Sequence, residues 1–150
     1  MAKIENRQFP ESKAVNPATM IDLQLENLED LIHSKKINVI KRLHDEAIIQ
    51  MNPYLAEILL INLIKNAVRH NISGGELIIE LSKQRLQIAN SGLPLKMDPE
   101  MLFKRFHKSS SSPESLGLGL AIVQKICDIY DFKIEYNYQN EMHTMSVEFV

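Results

Sequence analysis

Apolar positions recur at helical spacing in three stretches of this chain and alternate with polar ones in others, which predicts most of its elements. Residues 1 to 15 are mostly polar without a clear period and read as a lead-in or a short edge strand. At Asn16-Pro17 a good N-cap meets a good first helical residue. Ile21, Leu25, Leu28 and Ile32 then predict an amphipathic helix to about His33. "INVIKRL" and "AIIQ" predict two short strands around a turn at His44-Asp45-Glu46. Asn52-Pro53 repeats the start signal and opens a second helix, with Leu55, Ile58, Leu59, Ile61 and Ile64 supplying its apolar faces.

"GELIIELSKQRLQIAN" alternates, and Leu77, Ile79, Leu81, Leu86 and Ile88 mark a hairpin around Lys83-Gln84. From Gly92 to Ser115 no period is sustained, apart from a short helical pattern in "DPEMLFKRF". A connection that long belongs to a lid or to a disordered segment. A third helix is predicted from Gly119 to Tyr130, and strands around "FKIEYNY" and "TMSVEFV" close the chain. Helices interspersed with mainly antiparallel strands imply an α+β fold, a two-layer α/β sandwich with three helices on one face and the other face relatively bare.

The totals constrain function only by exclusion. A chain of 150 residues fits one domain, and 17 basic against 19 acidic side chains leave a formal net charge of -2. Bulk charge therefore advertises no nucleic-acid partner. The one cysteine, Cys127, lies in the apolar "GLAIVQKICDIY" and reads as a buried structural thiol. No run approaches the ~20 apolar residues of a membrane span, and "MAKIENRQFP" lacks the apolar core of a signal peptide. The expected location is cytoplasmic, with a parent protein free to be anchored in the inner membrane.

Candidate chemistry gathers in two places. In "NLIKNAVRHN", residues 62 to 71, three amides and an arginine interrupt an otherwise apolar helix. At roughly 100° per residue, Asn62, Asn66 and Arg69 fall within a stripe of about 60°. A solvated face normally prefers Lys and Glu to Asn, a poor helix former, so the stripe is expected to face something polar. In "SLGLGLAIV", Gly117 and Gly119 turn a serine-rich stretch into a helix, whose N-terminus offers unpaired N–H groups and partial positive charge to phosphate. Gly92 follows Asn90-Ser91 at a strand end, which alone is an ordinary turn signal.

In this order, an amide-rich helix, "IANSG", "LFKRF" and "SLGLGLAIV" resemble the N box, first glycine box, F box and second glycine box of the ATP-binding catalytic domain of sensor histidine kinases. The resemblance covers roughly residues 10 to 150. It implies the Bergerat fold, shared with gyrase-type, chaperone and mismatch-repair ATPases, with ATP and Mg²⁺ as cofactors. By it, Asn66 would give its side-chain oxygen to Mg²⁺, with Asn62 one turn earlier beside the ion or the terminal phosphate. Arg69 would neutralise phosphate charge, and His70 would lie near the nucleotide. Phe103 and Phe106 would anchor the lid, and Lys108 would reach from it toward the phosphates. Gly117, Leu118, Gly119 and Leu120 would let the backbone close over the triphosphate.

Two positions depart from the family pattern. Where the first glycine box usually begins with an Asp that accepts a hydrogen bond from the adenine amino group, this chain has Asn90, whose amide oxygen accepts the same bond without charge assistance, at a cost of order 1 kcal/mol. Pro94 replaces the box's second glycine. Asn62 also stands where the hydrolytic relatives carry a Glu that activates water, and an amide is no general base. Its presence fits an enzyme that holds its γ-phosphate for a protein acceptor.

His44 precedes an acidic pair but lies in a predicted turn, unlike the family's acceptor on a long upstream helix, and His33, His107 and His143 have no better context. "KIENRQF" in residues 1 to 9 resembles the end of the upstream dimerisation and phosphotransfer helices. The resemblance thus implies a histidine protein kinase fragment, itself monomeric. Its partners would be the upstream acceptor helices and a response regulator. A docking module of the same fold that ignores nucleotide, and an anti-sigma-type Ser/Thr kinase, are the alternatives.

Overall fold

The computed structural model describes residues 11–94 and 116–149. The elements run β1 (Lys13–Val15), α1 (Pro17–Asn27), α2 (Glu29–Ser34), β2 (Asn38–Leu43), β3 (Ile49–Met51), α3 (Pro53–Arg69), β4 (Glu76–Leu81), β5 (Arg85–Ser91), α4 (Leu116–Tyr130), β6 (Lys133–Gln139) and β7 (Met142–Glu148). Both predicted helix starts form as caps. The Asn16 side-chain oxygen accepts from Ala18 N at 3.0 Å, and that of Asn52 accepts from Tyr54 N at 2.8 Å and Leu55 N at 3.1 Å, with Pro17 and Pro53 as first helical residues.

Five strands form one mixed sheet in the order β2-β4-β5-β7-β6, and β1 and β3 pair separately as a two-stranded sheet. Only β2 and β4 run parallel within the larger sheet, with α3 in the connection between them. The inward faces of β4 and β5 present Leu77, Ile79, Leu86 and Ile88, all buried beneath the helices. From the helical layer Ile21, Leu59, Ile64, Leu120 and Ile126 complete the core, α3 lying between α1 and α4. The opposite sheet face carries an Arg42–Glu80 ion pair at 2.8 Å and a Gln87–Ser146 hydrogen bond, the polar surface expected of a layer left open on one side.

Three sequence expectations change. The helix predicted to run to His33 breaks at Leu28 (φ -102°, ψ 10°) into α1 and α2. Asn27 is a poor helix former, and Glu29 and Asp30 suit a fresh helix start. The strands flanking the His44 turn both form but join different sheets: β2 pairs with β4, and β3 with β1. Finally, α4 begins at Leu116 rather than Gly119. Gly117 and Gly119 therefore lie in its first turn, where fewer intrahelical bonds depend on the backbone than in the helix interior.

Candidate nucleotide-binding site

Between α3 and the inward faces of β5, β6 and β7 lies a cleft of about 270 Å³. Helical periodicity sends Asn66 and His70 into it from α3, together with Leu63 and Ala67. Its floor is Ile88, Met145 and Tyr136, its mouth is Ile72 and Leu93, and Leu120 of α4 closes one side. A mostly apolar chamber with a few convergent polar groups is the form of a small-molecule site.

Asn90 is the buried polar group at its inner end, 7% exposed. Its Nδ2 donates to the Ser91 carbonyl at 2.9 Å. A carbonyl can only accept, so the amide orientation is fixed and Oδ1 remains as an acceptor without a hydrogen-bond partner among the described residues. A buried acceptor in that state suits a ligand that brings an N–H donor.

The remaining predicted residues separate. Asn62 does not line this cleft: its Nδ2 donates to the Ile58 carbonyl at 2.8 Å, and its Oδ1 lies beside the first turn of α4, 3.0 Å from where a Cβ on Gly119 would stand. Arg69 is exposed at the end of α3 and makes no ion pair among the described residues. Gly92 is buried against His143, whose Cδ2 a Cβ there would meet at 2.7 Å. Gly117 and Leu118 belong to the first turn of α4. Lys108, Phe103 and Phe106 lie outside the described residues, as does "KIENRQF".

His70 is held below the usual histidine range first by desolvation and then by the charges of Lys35, Arg69 and His143. Burial pushes the Tyr136 phenol up to about 12. Desolvation likewise lowers His143, against a smaller upward pull from its bond to the Leu93 backbone. Cys127 is buried and its thiol is pushed up to about 12, so it packs as a small apolar group. His44 is exposed in its turn, its Nδ1 accepting from Glu46 N.

Sequence reasoning missed Tyr136, His143 and Met145. The signal available was Tyr136, Tyr138 and His143 at alternating inward positions of two closing strands, where a plain core would repeat aliphatic residues.

The two-layer α+β frame is the fold of solved histidine kinase catalytic domains. That of ThkA superposes with a TM-score of 0.80 at 22% identity, over 93% of this chain and 95% of that one. The chain belongs to the histidine kinase-, DNA gyrase B- and HSP90-like ATPase family, whose pattern matches residues 52–149. Sensor histidine protein kinase HK06 of Streptococcus pneumoniae is 31% identical over 139 residues, which are 90% of this chain and 30% of HK06. The heme sensor protein HssS of Staphylococcus aureus is 36% identical over 90 residues, 57% of this chain and 20% of HssS. The chain thus spans less than a third of either relative. Membership of an ATPase family makes ATP the implied nucleotide. Among the described residues, no helix is long and apolar enough to cross a membrane.

Proposed function

We propose that this chain is the catalytic domain of a two-component sensor histidine kinase, which binds Mg²⁺-ATP and delivers the γ-phosphate to a histidine on a helical domain of its parent protein. One observation carries the reading: Asn66, His70 and Asn90 converge on one apolar-walled cleft in which the Asn90 oxygen is buried and unpaired.

An adenine ring would lie between Ile88 and Met145 below and Ile72 and Leu93 at the mouth, where its amino group would donate to Asn90 Oδ1. Asn66, which lines the cleft, and the first turn of α4 would take the phosphates beyond the base. Among the described residues no three His, Cys, Asp or Glu side chains gather to hold a metal. The amide oxygen of Asn66, which lines the cleft, suits Mg²⁺, which keeps water and phosphate ligands and needs few from protein. When bound, that ion would offset charge on the phosphates. Arg69, free of ion pairs among the described residues, supplies a guanidinium for the same charge. Asn62 has no basic function and its amide is engaged by the Ile58 carbonyl, so this side chain activates no water, which suits a site that retains the phosphoryl group for transfer. The acceptor helices and a response regulator are the partners this reading requires.

Calorimetric titration with Mg²⁺-ATP tests it. Wild type should bind saturably, and Asn66→Ala should lose the part of the affinity that depends on Mg²⁺. Equal affinity in the variant would overturn the assignment. Transfer is then read by adding the parent's acceptor helices to the chain with labelled ATP.

A further inference from the structure

Beside the floor row of Ile88, Met145 and Tyr136 runs a second row of inward side chains, Asn90 on β5, His143 on β7 and Tyr138 on β6, each opposite the next in register. His143 sits at its centre. Its Nε2 meets the Leu93 carbonyl at 2.6 Å and its Nδ1 the Tyr136 hydroxyl at 2.5 Å. Because a carbonyl can only accept, Nε2 must carry the proton, and bare Nδ1 then accepts from the Tyr136 O–H.

Around the imidazole the packing is close. The Tyr138 ring lies 4.5 Å away and the Tyr136 ring 5.8 Å away, centroid to centroid. Tyr138 also donates from its hydroxyl to the Gly92 carbonyl at 3.0 Å, and Gly92 N donates to Glu141 O at 3.1 Å. A Cβ on Gly92 would stand 2.7 Å from the imidazole Cδ2 and 2.9 Å from Nε2, so the backbone after Asn90 approaches the ring as only glycine can. Three hydrogen bonds therefore tie residues 92 and 93 to the β6–β7 hairpin.

We propose that His143 is a positioning residue for the nucleotide base: a neutral imidazole, protonated on Nε2, that fastens the Gly92–Leu93 backbone and so sets where Asn90 and the Leu93 lip meet the ring. This rests on the reading of the cleft as a nucleotide site. The lowered basicity of His143 agrees with the neutral form. Because the Nε2 proton is spent on Leu93, the imidazole offers the base no donor, and the polar recognition of the base falls to Asn90.

The test compares Mg²⁺-ATP affinity for wild type, His143→Leu, His143→Gln and Tyr136→Phe, with ring-nitrogen NMR shifts of the histidines. Losing the Leu93 bond should weaken binding about fivefold in His143→Leu. Gln carries an N–H₂ group near the place of Nε2–H and should return affinity to within about twofold of wild type, since the bond to Leu93 is restored. In wild type the shifts should report the Nε2–H tautomer, and Tyr136→Phe, which keeps the ring packing and the Leu93 bond, should retain it. Should wild type bind nucleotide while His143→Leu binds equally well, or His143→Gln bind as poorly as His143→Leu, the positioning role fails and the nucleotide reading stands. An Nδ1–H tautomer in wild type, or one that appears in Tyr136→Phe while the Leu93 bond is available, overturns the role even if His143→Leu does not fold. A wild type that binds no Mg²⁺-ATP overturns both.

Discussion

The ammonium of Lys35, at the end of α2, donates to the Arg69 carbonyl at 2.8 Å; it also reaches the Val68 carbonyl at 3.0 Å. It thereby closes the C-terminus of the helix that carries Asn66 and His70, where a cation is favoured by the helix dipole. Lys35→Met should lower stability by about 1 kcal/mol, the scale of a partly exposed charge at a helix end. It should also raise the titration midpoint of His70 in an NMR pH series, because desolvation and then the Lys35 charge hold that imidazole down. An unmoved His70 would show that the two are not electrostatically connected.

Gly75 admits no side chain. A Cβ there would lie 2.2 Å from Asn71 Oδ1 and 2.9 Å from the Ser91 Cβ. Asn71 has no room to withdraw, because Nδ2 donates to Glu76 O at 2.9 Å and Oδ1 accepts from Ile72 N at 2.8 Å. Gly75→Ala should destabilise the fold by about 2 kcal/mol, as overpacking does. Urea unfolding checks this: the midpoint should fall while the slope stays constant.

Replacing Asn90 by Leu removes the buried acceptor and leaves a cleft of similar shape. Affinity for Mg²⁺-ATP should drop about tenfold, the effect of leaving a buried donor of the ligand unpaired. Competition between adenine and inosine nucleotides adds a sharper reading. Wild type should prefer the ring with the amino donor, and Asn90→Leu should lose that preference.

Acid should destabilise the domain through its cleft histidines. His70 and His143 are both held below the ordinary histidine value of about 6.5, each chiefly by desolvation. As pH falls through that value, the unfolded chain takes up protons that the folded chain does not, so stability is complete above it and declines below it. Urea midpoints measured from pH 7.5 down to pH 5 should fall, and the combined His70→Gln, His143→Gln chain should show a flatter decline.

Local patterns in the chain were enough for the features that depend on near neighbours. Asn16-Pro17 and Asn52-Pro53 specify helix starts because cap and first turn are adjacent in sequence, and Leu77, Ile79, Leu86 and Ile88 specify a hairpin because alternation fixes which side chains face inward. The amides of α3 were legible for the same reason, since spacing alone puts Asn66 on one side of a helix. Four motifs in order supplied the likeness to histidine kinase catalytic domains.

Tertiary structure alone decided which strand lies beside which. β2 pairs with β4 and β3 with β1, although β2 and β3 flank a short turn, because strand partners are chosen by the whole sheet and not by the nearest segment. It likewise set the register that puts His143 across from Asn90, took Lys35 to the end of α3, and put Asn62 beside Gly119 while Asn66 entered the cleft. Each of these joins residues far apart along the chain. The energy of such contacts comes from packing and hydrogen bonds that exist only once the layers have closed, so no local run of residues records it.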